Sequence, residues 1–303
     1  MKIDHRLSLI GPLAALLLAG CGHNDQVLAP SPGDPSAQQT AASAEVARHP
    51  ELVEDGIYDS PTQTDASTGT AAAIDPLFFW RQISTVERAY EIAFADTDST
   101  GRPTTAIVTV HKRLGGWFNV LAGDGGPEGS PTEGHVVRKP LHDHWVRRVL
   151  LKRVDGMDGE RRPWRIAAVS GVKITSRDGE TRLTSLRVQS GDFDTTVTDP
   201  LAFWRLRRIL RFQPEAQVTL TATTLLNDDV VVLYAGDRRF RFHANGDGTY
   251  VGTWTARALS GVHHLGVNAL SHGTLYDDQA PYDSQTWIVP YIVVPTELAD
   301  LAS

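Results

Sequence analysis

Two histidines set two residues apart, His142 and His144, are the most chemically suggestive pair in the chain. On a strand they would share a face, which is a workable start for a metal site. A zinc or iron centre needs three or four ligands and supporting partners, and neither H-E-x-x-H nor a cysteine stands nearby. The better reading is two loop-edge histidines. Asp96-Thr97-Asp98-Ser99-Thr100-Gly101 matches the start of a calcium loop, but its twelfth position is Ile107 where a bidentate Glu belongs. A hairpin turn using Gly101 and Pro103 explains it better. Gly123 to Gly134 is rich in glycine, yet no Lys-Ser/Thr follows and no G-x-G-x-x-G register exists, so it reads as a mobile loop rather than a phosphate cradle. Asp228, Asp229, Asp247, Asp277, Asp278 and Asp283 fall in loops and could gather around calcium, or simply solvate turns. His263 and His264 are adjacent, so a strand would point them to opposite faces. No nucleophile elbow, Ser/His/Asp spacing, paired-carboxylate signature or cofactor fingerprint stands out. The expectation is therefore no catalytic residue, no resident metal and no cofactor.

The chain that must position such groups begins with Lys2 and Arg6, followed by an apolar run from Leu7 to Leu18. That run is shorter than the ~20 residues a spanning helix needs. Leu18-Ala19-Gly20-Cys21 resembles a bacterial lipobox, which implies a lipoprotein signal over residues 1–20 and Cys21 as the lipid-attachment site. Cys21 is the only cysteine, so no disulfide forms within one molecule. By the same resemblance, Gly22 after the cysteine, rather than Asp, implies the outer membrane in a host with two membranes. The mature protein is then expected in the cell envelope, held to the membrane through its N-terminal lipid.

Residues 21–74 are poor in apolar side chains. Between Gly22 and Ile74 there are seven Val, Leu or Ile residues and one aromatic, Tyr58. Such a composition predicts a disordered tether, with a brief helix near Ala41 to Arg48 that has nothing to pack on. Charge is uneven beyond it. Lys and Arg number six against sixteen Asp and Glu from Gly22 to Val137, seventeen against nine from Arg138 to Gln213, and four against ten thereafter. The arginines of the middle region alternate with apolar residues, as on half-buried strands, so they are expected to pair within the fold rather than bind nucleic acid.

Asp75-Pro76-Leu77-Phe78-Phe79-Trp80-Arg81 recurs as Asp199-Pro200-Leu201-Ala202-Phe203-Trp204-Arg205 with six of seven residues identical. Asp followed by Pro suits a helix start, so the heptads predict short helices that plug the ends of two domains with Trp80 and Trp204. The first domain, 75–198, shows period-two alternation at Tyr90-Ile92-Phe94 and Ala106-Val108-Val110 and reads as strand-rich. His142 to Val154 fits either period, with strand preferred. Residues 199–212 form the linking helix, 213–296 the second domain, and 297–303 a tail.

In that second domain, Gln217 to Thr223, Val230 to Tyr234, Arg239 to Phe242, Val251 to Ala256, Gly261 to Ala269 and Gln285 to Val293 are strand-like, and Asn245-Gly246-Asp247-Gly248-Thr249-Tyr250 is a glycine-rich turn. The set resembles a bacterial immunoglobulin-like module, which implies a β-sandwich displaying surfaces for adhesion or assembly. Pro290 is expected at an edge or bulge. The whole is expected to be all-β: a disordered tether, a strand-rich domain and an immunoglobulin-like sandwich. Its expected role is non-catalytic binding, adhesion or structure, with an envelope protein or polysaccharide as partner. A carbohydrate-acting enzyme or a calcium-dependent binding module is the alternative, motivated by seven tryptophans and many loop acids.

Overall fold

A computed structural model describes residues 34–56, 58, 64–65, 74–123, 134–154, 163–205, 209–236 and 238–294. Among the described residues the fold is all-β, built from two sheets that are antiparallel apart from one short parallel pair. The larger has eleven strands, and its main path runs β1 (Thr64–Asp65), β2 (Asp75–Thr97), β3 (Pro103–Gly123), β4 (His135–Arg153), β5 (Trp164–Ser176), β16 (Ser284–Val293), β15 (Gly261–Leu270), β11 (Val230–Ala235), β12 (Arg238–Arg241). β8 (Phe203–Arg205) adds to β5, and β9 (Leu210–Phe212) adds parallel to β16. The smaller sheet is ordered β13 (His243–Ala244), β14 (Thr249–Thr255), β10 (Gln217–Thr224), β6 (Leu183–Ser190), β7 (Phe193–Val197). The large sheet curls until β1 and β12, its two ends, touch. We call its concave side the inner face.

Alternation decides which side chains go where. Along β4, Leu141, Trp145, Val149 and Leu151 are buried on the inner face, while His142 and His144 point out. β11, β15 and β16 are buried on both faces. Val231, Leu233, Val267 and Val289 pack outward against Leu186, Val188, Leu220 and Trp254 of the small sheet. Val230, Val232 and Ile288 face inward with Phe79, Phe118 and Trp145. The C-terminal half is thus a sandwich, and the near-continuous apolar runs of its central strands follow from double burial. Pro290 lies opposite His264 within the β15–β16 ladder rather than at the edge of the sheet.

Three expectations are corrected. The tether was drawn through residue 74, but from Asp34 onward its described part is folded. Asp34 caps α1 (Pro35–Ala47), its Oδ1 accepting from the Ser36 amide at 2.8 Å, and α2 (Pro50–Val53) follows. Ala42, Val46, Val53 and Tyr58 are buried in the inner-face core. Small alanines let the helix lie close to the sheet, and polar anchors replace the missing apolar area: Glu54 pairs with Lys112 and Arg88, and the Asp55 carboxylate accepts from Trp145 Nε1 at 2.7 Å.

The heptads are not helices. The first copy opens β2, with Phe79 and Arg81 inward and Phe78 and Trp80 outward. In the second, Asp199 Oδ1 caps the Leu201 amide at 2.9 Å in a turn, after which Phe203-Trp204-Arg205 joins the sheet. Asp-Pro does start a turn in that copy, but Phe-Trp-Arg alternates on a sheet edge that was waiting for a partner. Trp80 and Trp204 are half-buried rather than core plugs.

The division into two domains at 199–212 is also not a break in the sheet. β5 pairs with β16 from Val172 to Thr175, and β6 pairs with β10, so strands from before the linker complete both layers of the sandwich. Residues 1–20, with Cys21 and the tail 297–303, lie outside the described residues.

Candidate functional site

The small sheet covers the outer face of β16, β15 and β11, whereas on β2, β3 and β4 that face is exposed. Register sets its residues in rows: Thr85, Gly115 and His142 form one, and Glu87, Arg113, His144 and Thr175 the next. Arg177 follows directly after β5. Gly115 has no side chain and Thr85 Oγ1 lies 2.5 Å from where a Cβ would stand, so the surface sinks there. The result is a trough of about 520 Å³ lined by Thr85, Glu87, Arg113, His142, His144 and Arg177.

Its chemistry is mainly cationic. Among the described residues, Arg113, Arg177 and Glu87 make no side-chain hydrogen bond or ion pair within the fold, leaving two guanidiniums free to receive a ligand. His144 Nε2 lies 3.0 Å from His111 Nδ1, the rings stack with centroids 5.2 Å apart, and Glu91 Oε2 is 3.4 Å from His111 Nε2. Burial, then the neighbouring His111 and Arg113, push the His144 pKa below its ordinary value and so favour its neutral form. His144 therefore pairs with a histidine of the next strand and not with His142. Among the described residues no group of three or more His, Cys, Asp or Glu could hold a metal ion.

Beside the trough the outer face becomes apolar. Trp117 sits opposite Gln82 and Pro140, and Trp80 lies opposite Asn119. Phe78, Trp117 and Val136 are 39%, 41% and 43% exposed, so this is a surface of aromatic and aliphatic groups and not a core. Asn119 lies among them, 1% exposed, with neither amide atom hydrogen-bonded.

A second polar constellation lies behind the sheet. Arg81 donates to Tyr234 Oη at 2.6 Å and to Asn268 Oδ1 at 2.8 Å, and its guanidinium stands 4.5 Å from the centre of the Tyr58 ring. The hydroxyls of Tyr58 and Tyr282 donate to Asp143 Oδ2 at 2.5 and 3.2 Å. Burial raises the Asp143 pKa against the pull of Arg81. Six separate segments meet here, and the cluster is closed to solvent, so it holds the curled sheet together.

The remaining sequence candidates are dispersed. Asp247 caps Thr249, Asp277 caps the Gln279 amide, and Asp283 accepts from the Thr181 and Glu180 amides. Asp98 accepts from the Thr100 and Arg102 amides, so the Asp96–Gly101 stretch is a hairpin turn. Asp229 is buried, with neither carboxylate oxygen bonded. His263 and His264 do point apart: the first rests on Tyr291 and the second faces Arg147 at 3.4 Å. Arg113, Arg177, Glu87 and Trp117 were missed as site residues. Gly115-Gly116 before Trp117 was the one local hint, since the others come together only through strand register.

No protein-family model, curated protein or solved structure matches the chain. The class its own geometry defines is an all-β protein with one exposed sheet face bearing a basic trough and an aromatic platform.

Proposed function

We propose that this chain is a non-catalytic, lipid-anchored envelope protein that binds an anionic glycan on the exposed outer face of β2–β4. The observation that carries the reading is that exposed Trp117 stands on the same face of β3 as free Arg113, with Gly115 of the trough between them and Arg177 on the trough's far side. Guanidiniums recognise carboxylate or phosphate, and aromatic rings cover the apolar faces of sugars. Two carboxylates, Glu87 and Asp143, line the trough, but Asp143 is held on the inner face by the Tyr58 and Tyr282 hydroxyls, whereas glycoside hydrolysis calls for two that flank the bond to be cut. A chain of net charge −7 repels a long polyanion overall, which favours local contacts on a sparsely charged glycan over nucleic acid. The same reading keeps Cys21 as the lipid attachment and the C-terminal sandwich as an immunoglobulin-like display module. The pairing of β10 with β14 and of β15 with β16 supports the latter.

Calorimetric titration with a short glycan carrying one uronate per disaccharide and with neutral dextran tests the ligand class. The uronate-bearing glycan should bind and the dextran should not. Arg113→Ala/Arg177→Ala should weaken binding at least ~10-fold, by the loss of two charge-assisted contacts, with the urea midpoint unchanged. Equal binding of both polymers, or full retention by the double variant, refutes the proposal.

A further inference from the structure

β2 is a 23-residue strand at the edge of the sheet. Among the described residues its outer edge is paired by β1 alone, at Phe78 and Phe79. Every residue from Ser84 to Glu91 is exposed, and among the described residues no strand pairs with that part of the edge. Folded proteins usually protect such an edge with charged side chains, lysine above all, with proline or with a bulge. Between Thr85 and Ala95 there is no lysine or proline, the charges are Glu87, Arg88 and Glu91, and the register with β3 runs without a shift; the one nearby irregularity falls before it, at Ile83/Thr85.

We infer that this edge is the docking surface for a second copy of the chain, joined antiparallel through β2 so that the two large sheets become one. A dyad perpendicular to the sheet keeps each face with its like, so opposed residues must have the same parity and the dyad must pass through a residue. Backbone regularity and charge together select the register: a ladder centred on Val86 runs into the irregularity at Ile83/Thr85, and one centred on Ala93 or beyond takes in Asp96 at positive φ. Centring on Glu87, Arg88 or Glu91 sets that charge against its own copy. Centring on Ala89 sets Glu87 against Glu91 twice. Centring on Ile92 brings Asp96, at φ 55°, into the ladder opposite Arg88, which already pairs with Glu54. Centring on Tyr90 opposes no like charges: Tyr90 meets Tyr90, Val86 meets Phe94, Arg88 meets Ile92, Glu87 meets Ala93 and Glu91 meets Ala89. Aromatic and aliphatic pairs of this kind stabilise neighbouring strands, and like charges directly opposite destabilise them. Val86 and Tyr90 are 54% and 36% exposed, so the pairing covers apolar surface that the single chain leaves in water. Eleven residues give a ladder of about 35 Å.

Both outer faces then lie on one side of the joined sheet. The two troughs flank the dyad, because Thr85 and Glu87 of β2 belong to their rims. On the reading of the trough as a glycan site, one polymer would engage both and gain avidity. The dimer itself does not depend on that reading.

Sedimentation velocity of the full chain carrying Cys21→Ser, without any glycan, tests the dimer up to about 100 μM, the range in which weak association is still visible. A dimer is expected, and a monomer throughout refutes the proposal. Ala89→Glu/Ala93→Glu sets like charges opposite each other and should raise the dissociation constant at least ~10-fold. Ala89→Lys/Ala93→Lys should preserve the dimer. Equal effects from the two pairs overturn the charge-selected register. Tyr90→Cys in the same background should cross-link on oxidation and Glu87→Cys should not; the reverse result also overturns it.

Discussion

Replacing Asp229 by Asn should make the protein more stable in alkaline solution while leaving it nearly unchanged in acid. Asp229 is 4% exposed and neither of its oxygens has a hydrogen-bond partner. Its pKa rises from the usual 3.8 to about 7, chiefly through burial, with the nearby Thr224 side chain opposing the rise and Asp228 and Asp283 adding to it. A carboxyl whose folded pKa lies above its unfolded value favours the folded state when both are protonated, below about pH 4. That advantage drains away as pH rises toward the folded pKa, because only the unfolded chain releases its proton. Each pH unit in that window costs at most ~1.4 kcal/mol, so passing from pH 5 to pH 8 costs the wild type up to ~3 kcal/mol at this site. Some relaxation around the carboxylate will reduce the figure, and ~1–3 kcal/mol is the range to expect. The variant has no proton to lose. Urea denaturation of both proteins at pH 5 and pH 8 should show their stability difference growing by that amount in favour of Asn. If the two curves shift in parallel between these pH values, the carboxyl is not held in its neutral form and the reasoning fails.

Arg81→Met should cost about 3 kcal/mol at pH 7, because it leaves buried Asp143 without the charge that offsets it; in a double-mutant cycle, adding Asp143→Asn should recover part of the loss, and strict additivity in urea denaturation would show the two groups are uncoupled. Cys21→Ser should release the protein from the membrane, or stop its processing, while the urea midpoint stays unchanged; a wild-type chain that fractionates as fully soluble, with an unmodified Cys21 by mass spectrometry, refutes the lipid anchor.

What could be seen in the sequence was whatever depends on neighbours along the chain. Tyr90-Ile92-Phe94 and Ala106-Val108-Val110 announce β2 and β3 by alternation, and each proposed strand between Gln217 and Val293 is a strand, to within a residue or two. The heptad copies failed because Leu77, Phe79 and Trp80 satisfy a period of 3.6 and a period of 2 almost equally. Which period wins is decided by β3, whose Ala122 to Phe118 run pairs with them from some forty residues away. The segment from Asp34 to Tyr58 failed for a different reason. Its burial rests on Ala42 and on carboxylates meeting Lys112 and Trp145, and a count of large apolar residues does not register either.

The trough was illegible for the same reason that it exists. Thr85, Arg113, His142 and Arg177 come from four successive parts of the sheet, and no spacing along the chain relates them. Their types do show why that face is exposed. Inward positions of β4 carry Leu141, Trp145, Val149 and Leu151, which gain from being covered, together with Asp143 and Arg147, which find partners there; outward positions include Arg138, His142, His144 and Lys152, which would lose hydration under a second sheet. The small sheet accordingly lies over β11, β15 and β16, where Val231, Leu233, Val267 and Val289 offer apolar side chains to it. Extending that cover across β4 would bury two histidines and two long cations, of which only Lys152 meets an acid, Asp96 at 3.6 Å, a cost that a few buried methylenes do not offset. The exposed face is the one whose side chains are better satisfied by water, or by an anionic ligand, than by the rest of the protein.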